Sequence, residues 1–134
     1  MNKYAADNSG FTQGEVDLAG THLTIKSGCT AIDFDVTEDQ AFSISRSLQN
    51  ESAPRPLTHD ILQDVMENFN ISVLAIRLER WGDEIYYARM FVQQGGSVLD
   101  IDMRPSDAVA LALRMKQPLL INRTMLNERG NNIC

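Results

Sequence analysis

Between Thr30 and Val36 apolar and polar residues alternate, Ile32, Phe34 and Val36 against Asp33 and Asp35, and this predicts a half-buried strand. The preceding stretch, Gly14 to Ser27, is weakly extended. Thr37 followed by Gln40 has the form of a capping box, and Ala41, Ile44, Ser45 and Leu48 continue at helical spacing, which predicts a helix over 38–49. A short polar connection from Asn50 to Pro56 leads to a second helix over 59–69. Thr58 is its expected N-cap, with Leu57 and Leu62 placed as a hydrophobic staple. The inner stripe of this helix is expected to be Ile61, Leu62, Val65, Met66 and Phe69, with Gln63, Asp64 and Glu67 in water.

Three extended runs follow, Ile71 to Glu79, Glu84 to Gln93 and Ser97 to Met103, joined by Trp81-Gly82-Asp83 and Gln94-Gly95-Gly96. Connections this short predict an antiparallel meander. Pro105 ends the third strand, and Ser106 is the expected cap of a helix whose inner side holds Ala108, Val109, Ala112 and Met115. Gln117-Pro118 closes that helix, Leu119-Leu120-Ile121 reads as a short buried strand, and a last helical turn lies around Thr124 to Asn127. The order β, α, α, β, β, β, α, β predicts a single α+β domain, helices packed on a mainly antiparallel sheet. Its expected extent is 14–127, between a flexible N-terminal segment, 1–13, and a flexible C-terminal tail, 128–134.

At 134 residues the chain is the size of one domain, with enough apolar sequence for a single core. No apolar run approaches the ~20 residues needed to cross a bilayer, and no secretory or transit signal is read at the start. The expected compartment is therefore the cytoplasm, with no membrane partner. Cys29 and Cys134 lie far apart, in neither a disulfide framework nor a zinc spacing, and are expected to be free thiols. A formal net charge of −6 opposes nonspecific attraction to phosphate backbones, so any nucleic-acid role needs a local basic patch. Nine of the 12 basic residues are Arg, a skew that favours planar, bidentate recognition.

Two segments carry the candidate chemistry. Arg55-Pro56-Leu57-Thr58-His59-Asp60 and Arg104-Pro105-Ser106-Asp107 each place Arg-Pro, then a hydroxyl, then an Asp, at a helix start. Proline and a hydroxyl are ordinary there, which leaves the two arginines to be explained. Asp100, Asp102 and Arg104 recur at period two and so share one strand face, with Leu99, Ile101 and Met103 expected in the core. With Asp107 they make a cluster suited to a hard divalent cation; the alternative is a solvated sheet face with Asp107 at the positive end of the helix dipole and Arg104 in an internal ion pair. His59 can serve as base, acid or ligand, or be only a first-turn residue, and His22 is expected at the surface. Trp81, Tyr86 and Tyr87 can offer a stacking surface for bases or belong to the core.

The run from Asp102 to Arg114, preceded by the segment Pro54 to Leu62 and with Tyr86-Tyr87-Ala88 between them, resembles the bifunctional nuclease domain family over roughly residues 30–127. The resemblance implies a compact α+β domain, degradation of both DNA and RNA, and a divalent metal, Mg²⁺ or Mn²⁺. By matched position it points to Arg55, Pro56, Thr58, His59 and Asp60 and to Asp102, Arg104, Pro105, Ser106 and Asp107. The chain departs from the family pattern at Gln40, an amide where an acid is usual, which raises the prospect of a weakened or inactive member.

Two functional readings follow. In the first the protein is a metal-assisted phosphodiesterase. Asp102 and Asp107, with Asp100 beside them, hold the cation, Arg104 and Arg55 clamp phosphate, and His59 handles a proton. In the second it is a noncatalytic interaction or regulatory module whose Arg-Pro motifs form an Arg-carboxylate network. A homo-oligomer, most simply a dimer, is expected in either case.

Overall fold

The computed structural model describes residues 7–51 and 54–134. The described strands are β1 (Phe11–Ala19), β2 (His22–Ser27), β3 (Thr30–Asp35), β4 (Ser72–Gly82), β5 (Ile85–Gln94), β6 (Ser97–Met103), β7 (Leu119–Asn122) and β8 (Asn131–Asn132). They form one sheet in the order β6-β5-β4-β7-β1-β2-β3-β8, antiparallel at every pairing but β4 with β7. The helices are α1 (Glu38–Leu48), α2 (Thr58–Asn68), α3 (Pro105–Met115) and α4 (Arg123–Arg129). The fold is α+β, and the expected meander is present as β4-β5-β6. The weakly extended stretch before Thr30 resolves into two strands, because a two-residue turn at Gly20-Thr21 folds β2 back on β1 with Ala19 opposite His22. Strand β4 runs on through Trp81 and Gly82, and the turn falls instead on Asp83 and Glu84, both with positive φ as a tight hairpin requires.

Helix α3 organises the core. Ala108, Val109, Ala110, Leu111 and Ala112 are all buried, a helix apolar on every side and covered on every side. It packs against β4, β5 and β7 on one side and against α1 and α2 on the other. The three alanines let the neighbouring layers approach closely. Ile76, Leu78, Ala88 and Met90 meet it from the sheet, and Ile44 of α1 and Met66 of α2 belong to the same cluster.

Helix α1 begins as expected, with Thr37 Oγ1 accepting from Gln40 N and Gln40 Oε1 accepting from Thr37 N. Helices α2 and α3 begin differently. The α2 N-cap is Leu57 and Thr58 is the first helical residue; the Leu57 N–H donates to Asp60 Oδ2 at 2.7 Å, so a first-turn carboxylate closes the helix start from the other side. The α3 N-cap is Arg104, with Pro105 at the first helical position and Ser106 buried in the first turn rather than capping it.

The apolar stripe of α2 is largely not buried: Ile61, Val65 and Phe69 are 55%, 46% and 64% exposed. Of its apolar residues Met66 joins the core and Leu62 packs against it, so the rest of the stripe faces outward. Likewise Leu99, expected in the core, is exposed because β6 is the sheet edge and no helix covers its N-terminal half.

The chain's end departs from the expected loose tail. Glu128 and Arg129 complete α4, β8 pairs with β3, and Ile133 N donates to Cys29 O at 2.8 Å. Cys29 and Cys134 are joined in a disulfide, not free: pairing of β8 beside β3 brings Cα atoms 105 residues apart in sequence to 5.3 Å. At the other end, residues 1–6 of the expected N-terminal segment lie outside the described residues. Within the remainder of that segment Arg77 Nη1 donates to Asp7 O and Asn8 Oδ1, and β1 begins at Phe11.

Candidate functional site

The two motif segments meet where α2 and α3 start. His59, in the first turn of α2, places Nε2 2.9 Å from Asp107 Oδ1 in the first turn of α3. Asp107 also accepts two bonds from Arg104, Nε to Oδ2 at 2.7 Å and Nη2 to Oδ1 at 3.0 Å. On its far side His59 Nδ1 lies 2.7 Å from Ser43 Oγ, on α1. A chain of four residues, Ser43-His59-Asp107-Arg104, thus runs from the buried face of α1 across α2 to the exposed mouth of α3.

The protonation pattern follows from the partners. Burial raises the affinity of the Asp107 carboxyl for its proton, but the hydrogen bonds and charges of Arg104 and His59 outweigh it and hold the group below the usual carboxylate range. An ionised carboxylate only accepts, so His59 presents Nε2–H to it, and in the tautomer that carries its proton there Nδ1 accepts from the Ser43 hydroxyl. Both imidazole nitrogens are therefore engaged. The order hydroxyl, imidazole, carboxylate is that of a nucleophile triad, but Ser43 is only 5% exposed. A substrate phosphorus cannot reach it.

Arg104 is the exposed member, two-thirds accessible, and its pairing with Asp107 raises its already high pKa. Its Nε and one amino group are turned to the carboxylate, leaving the outer edge of the guanidinium free to donate. It stands at the rim of a cleft of about 680 Å³ bounded by the ends of β3 and β6, the start of α3 and the β4-β5 turn. Phe34, Trp81, Tyr86, Tyr87 and Met103 line this cleft. Tyr86 is buried, with Trp81 edge-on at 4.6 Å and Phe34 at 5.4 Å between ring centroids. Arg129 stacks on Trp81 at 4.0 Å and Arg80 on Tyr87 at 3.7 Å. Of the three aromatic residues, Tyr86 belongs to the core, and Trp81 and Tyr87 are half-buried walls of the cleft.

The other candidates are dispersed. Asp102 is exposed and lines the cleft, whereas Asp100 is bound to Arg89, Nη1 to Oδ1 at 2.8 Å. Arg55 is exposed and is not among the cleft residues. Asp60 caps α2 and forms an ion pair with Arg114 of α3, a structural lock between the two helices. A divalent cation would need several of these carboxylate oxygens to converge. With Asp100 held by Arg89 and both oxygens of Asp107 taken by Arg104 and His59, they do not. Among the described residues no three His, Cys, Asp or Glu are grouped to hold a metal, so the residues as placed do not fit a preformed divalent site.

Ser43 and Arg129 are the site residues that sequence reasoning passes over. Ser43 carried one signal, a hydroxyl one position from Ile44 on the inner face of α1; Arg129 carried none, since only folding brings α4 beside Trp81. His22, at the surface as expected, bridges Asp35 at 2.9 Å and Asp33 at 3.4 Å, and both aspartates line the same cleft.

Residues 23–133 match the family model of the bifunctional nuclease domain. The chain is 26% identical over 98 residues to bifunctional nuclease 1 of Oryza sativa subsp. indica, covering 71% of this chain and 30% of the rice protein. It is 24% identical over 101 residues to bifunctional nuclease 1 of Arabidopsis thaliana, covering 73% of this chain and 31% of that protein. An uncharacterized protein of Mycobacterium tuberculosis strain H37Rv is 28% identical over 95 residues, which is 56% of its own length. The match spans about a third of the plant proteins and just over half of the mycobacterial one. With the family model covering most of the chain, including both Arg-Pro segments and the cleft, the protein belongs to the bifunctional nuclease domain family.

Proposed function

We propose that the protein is a nuclease hydrolysing phosphodiester bonds of DNA and RNA, with the cleft beside Arg104 as its active site. The observation that carries this reading is the bidentate Arg104–Asp107 pair at the cleft mouth. It fixes the guanidinium plane, so that its free edge can meet two phosphate oxygens without first losing side-chain entropy. Asp107, held in turn by His59 and Ser43, is a positioning residue. Asp102, exposed in the same cleft, takes the proton from an attacking water as the new P–O bond forms and the ester P–O bond breaks, the leaving oxygen being protonated from solvent. Arg55, exposed on the approach to α2, contributes to long-range attraction of the strand. No step is assigned to a metal ion, and the dependence on Mg²⁺ or Mn²⁺ expected from the sequence is an arm of the test.

The test is cleavage of single- and double-stranded DNA and RNA with Mg²⁺, Mn²⁺ or chelator, by wild type, Arg104→Gln and Asp102→Asn. The expected outcome is cleavage by the wild type that both variants lose at least tenfold while remaining folded. Activity equal in all three proteins would identify a contaminant. Absence of cleavage throughout would favour the second reading, a noncatalytic module, which the closed Ser43-His59-Asp107-Arg104 network joining three helices supports. For assembly we propose a homodimer, supported by the exposed Ile61, Val65 and Phe69 of α2. Light scattering of wild type and Val65→Glu decides it.

A further inference from the structure

We infer that the aromatic cleft receives one unstacked nucleobase, so that the protein engages single strands and discriminates against duplex. The inference rests on the nuclease reading and deepens it. The cleft is the size of a small-molecule site, about 680 Å³, large enough for a nucleoside. Its surface is divided in the way a nucleotide is divided. Trp81 and Tyr87, each carrying a guanidinium on one ring face, with Met103 and the exposed Ile85 make the wall that suits the flat face of a base. Arg104 and Arg129 stand on the same cleft and suit the phosphates that flank it.

Beside Gln40 and Ser106, the remaining polar side chains are four carboxylates, Asp33, Asp35, Glu84 and Asp102. They repel phosphate, which confines the backbone to the arginine positions. They also accept hydrogen bonds from base amino and imino groups, the donors that pairing occupies in a duplex. In a double helix both the faces and the pairing edges of bases are covered, and a base can enter a pocket of this kind only after it leaves the stack. The exclusion of duplex follows from the shape and from the acidic lining together.

Trp81 is the only tryptophan of the chain and lines the cleft, so its fluorescence reports occupancy directly. The experiment titrates the full chain with a phosphorothioate single strand and with the duplex of the same sequence. Wild type, Tyr87→Ala and the rim substitution Ile85→Glu are compared, and cleavage of ordinary substrates is measured in parallel. Ile85 is 53% exposed, so its replacement leaves the core intact even if Tyr87→Ala disturbs the fold. The expected result is a saturable Trp81 signal with the single strand, binding at least about tenfold tighter than to duplex, and weakening by about fivefold or more in either variant. Equal binding of both forms, or single-strand binding that leaves Trp81 unchanged, overturns the inference; if cleavage persists, the nuclease reading survives that result. Absence of both binding and cleavage overturns the two together.

Discussion

His59 and Asp107, 48 residues apart in sequence, are joined by one hydrogen bond of 2.9 Å that ties the opening turn of α2 to the opening turn of α3. Each lies in one of the two Arg-Pro segments, so the internal echo has a physical meaning. The first segment supplies the imidazole that holds the carboxylate, and the second supplies the arginine that the carboxylate holds.

Ser43 tests that arrangement from its buried end. Ser43→Ala removes the donor to His59 Nδ1 and leaves a buried acceptor unsatisfied, which costs about 1–3 kcal/mol of stability. A positioning role predicts that cleavage falls several-fold, with KM rising as Arg104 is less firmly held, and that the Nδ1 resonance of His59 shifts in ¹⁵N NMR. Loss by a factor of thousands with unchanged KM would instead make Ser43 a nucleophile, against its burial.

Acid weakens the same node. The Asp107 pKa is depressed in the folded state, so its contribution to stability is fully present above the unfolded carboxylate value near 3.8 and is lost as pH falls through the lower folded value. Urea midpoints measured from pH 5 downward are expected to fall for the wild type, and to fall less steeply for Asp107→Asn. Parallel curves would remove Asp107 from the acid transition.

His22 has the opposite sign. Hydrogen bonds to Asp35 and then Asp33 raise its pKa above 6.5, so its favourable pairing is fully present below 6.5 and is lost as pH rises through the folded value. An NMR titration is expected to place the His22 midpoint above that of a model peptide, and Asp35→Asn to bring it down. The pair stands on the exposed cleft border, so added salt moves the midpoint as well.

Asp60 and Arg114 form the lock between α2 and α3. The Arg114 side chain is 11% exposed, burial lowers its pKa, and its Nε has no hydrogen-bond partner among the described residues. Removing one partner strands the other, and Asp60 also caps α2 through Leu57 N. Asp60→Ala is expected to cost about 2–4 kcal/mol by chemical denaturation, and the double variant Asp60→Ala with Arg114→Met less than Asp60→Ala alone. A larger loss in the double variant would show that the guanidinium's packing, not its charge, holds the helices.

What the sequence revealed and what it hid divide along physical lines. Alternation and turn residues report local geometry, and they identified the β4-β5-β6 meander, the α1 capping box and the two motif segments. Sequence periodicity reports that a face is apolar, not that something covers it. The stripe of α2 therefore read as core although Ile61, Val65 and Phe69 face outward. The same blindness to long-range placement affected the acids. Period two correctly put Asp100 and Asp102 on one strand face, but it could not show that Arg89 on the neighbouring strand would claim Asp100, or that Asp107 would be spent on His59 and Arg104. Ser43 lay beyond reach for the same reason, since its partner stands on another helix.

The Cys29–Cys134 bridge closes the chain from residue 29 to residue 134 into a loop and pins β8 to β3 just past Arg129, whose guanidinium covers Trp81 in the cleft. Closing so long a loop restricts the unfolded chain, and disulfides of this kind contribute about 2–4 kcal/mol. Reduction is expected to lower Tm by roughly 5–15 °C. Because the bridge anchors the segment that carries Arg129, the Trp81 emission is expected to change at temperatures well below the melting transition. Cys134→Ser should reproduce both effects without reductant. Disulfides persist in oxidising compartments and are rare in a reducing cytosol, so the state of the two thiols decides the cytoplasmic placement expected from the sequence. Alkylation of fresh cell extract followed by mass spectrometry reads that state. A bridge found intact argues for an oxidising environment. Two alkylated cysteines would mean that the protein works in its reduced form, with the end of the chain released from β3 and Arg129 free to leave the cleft.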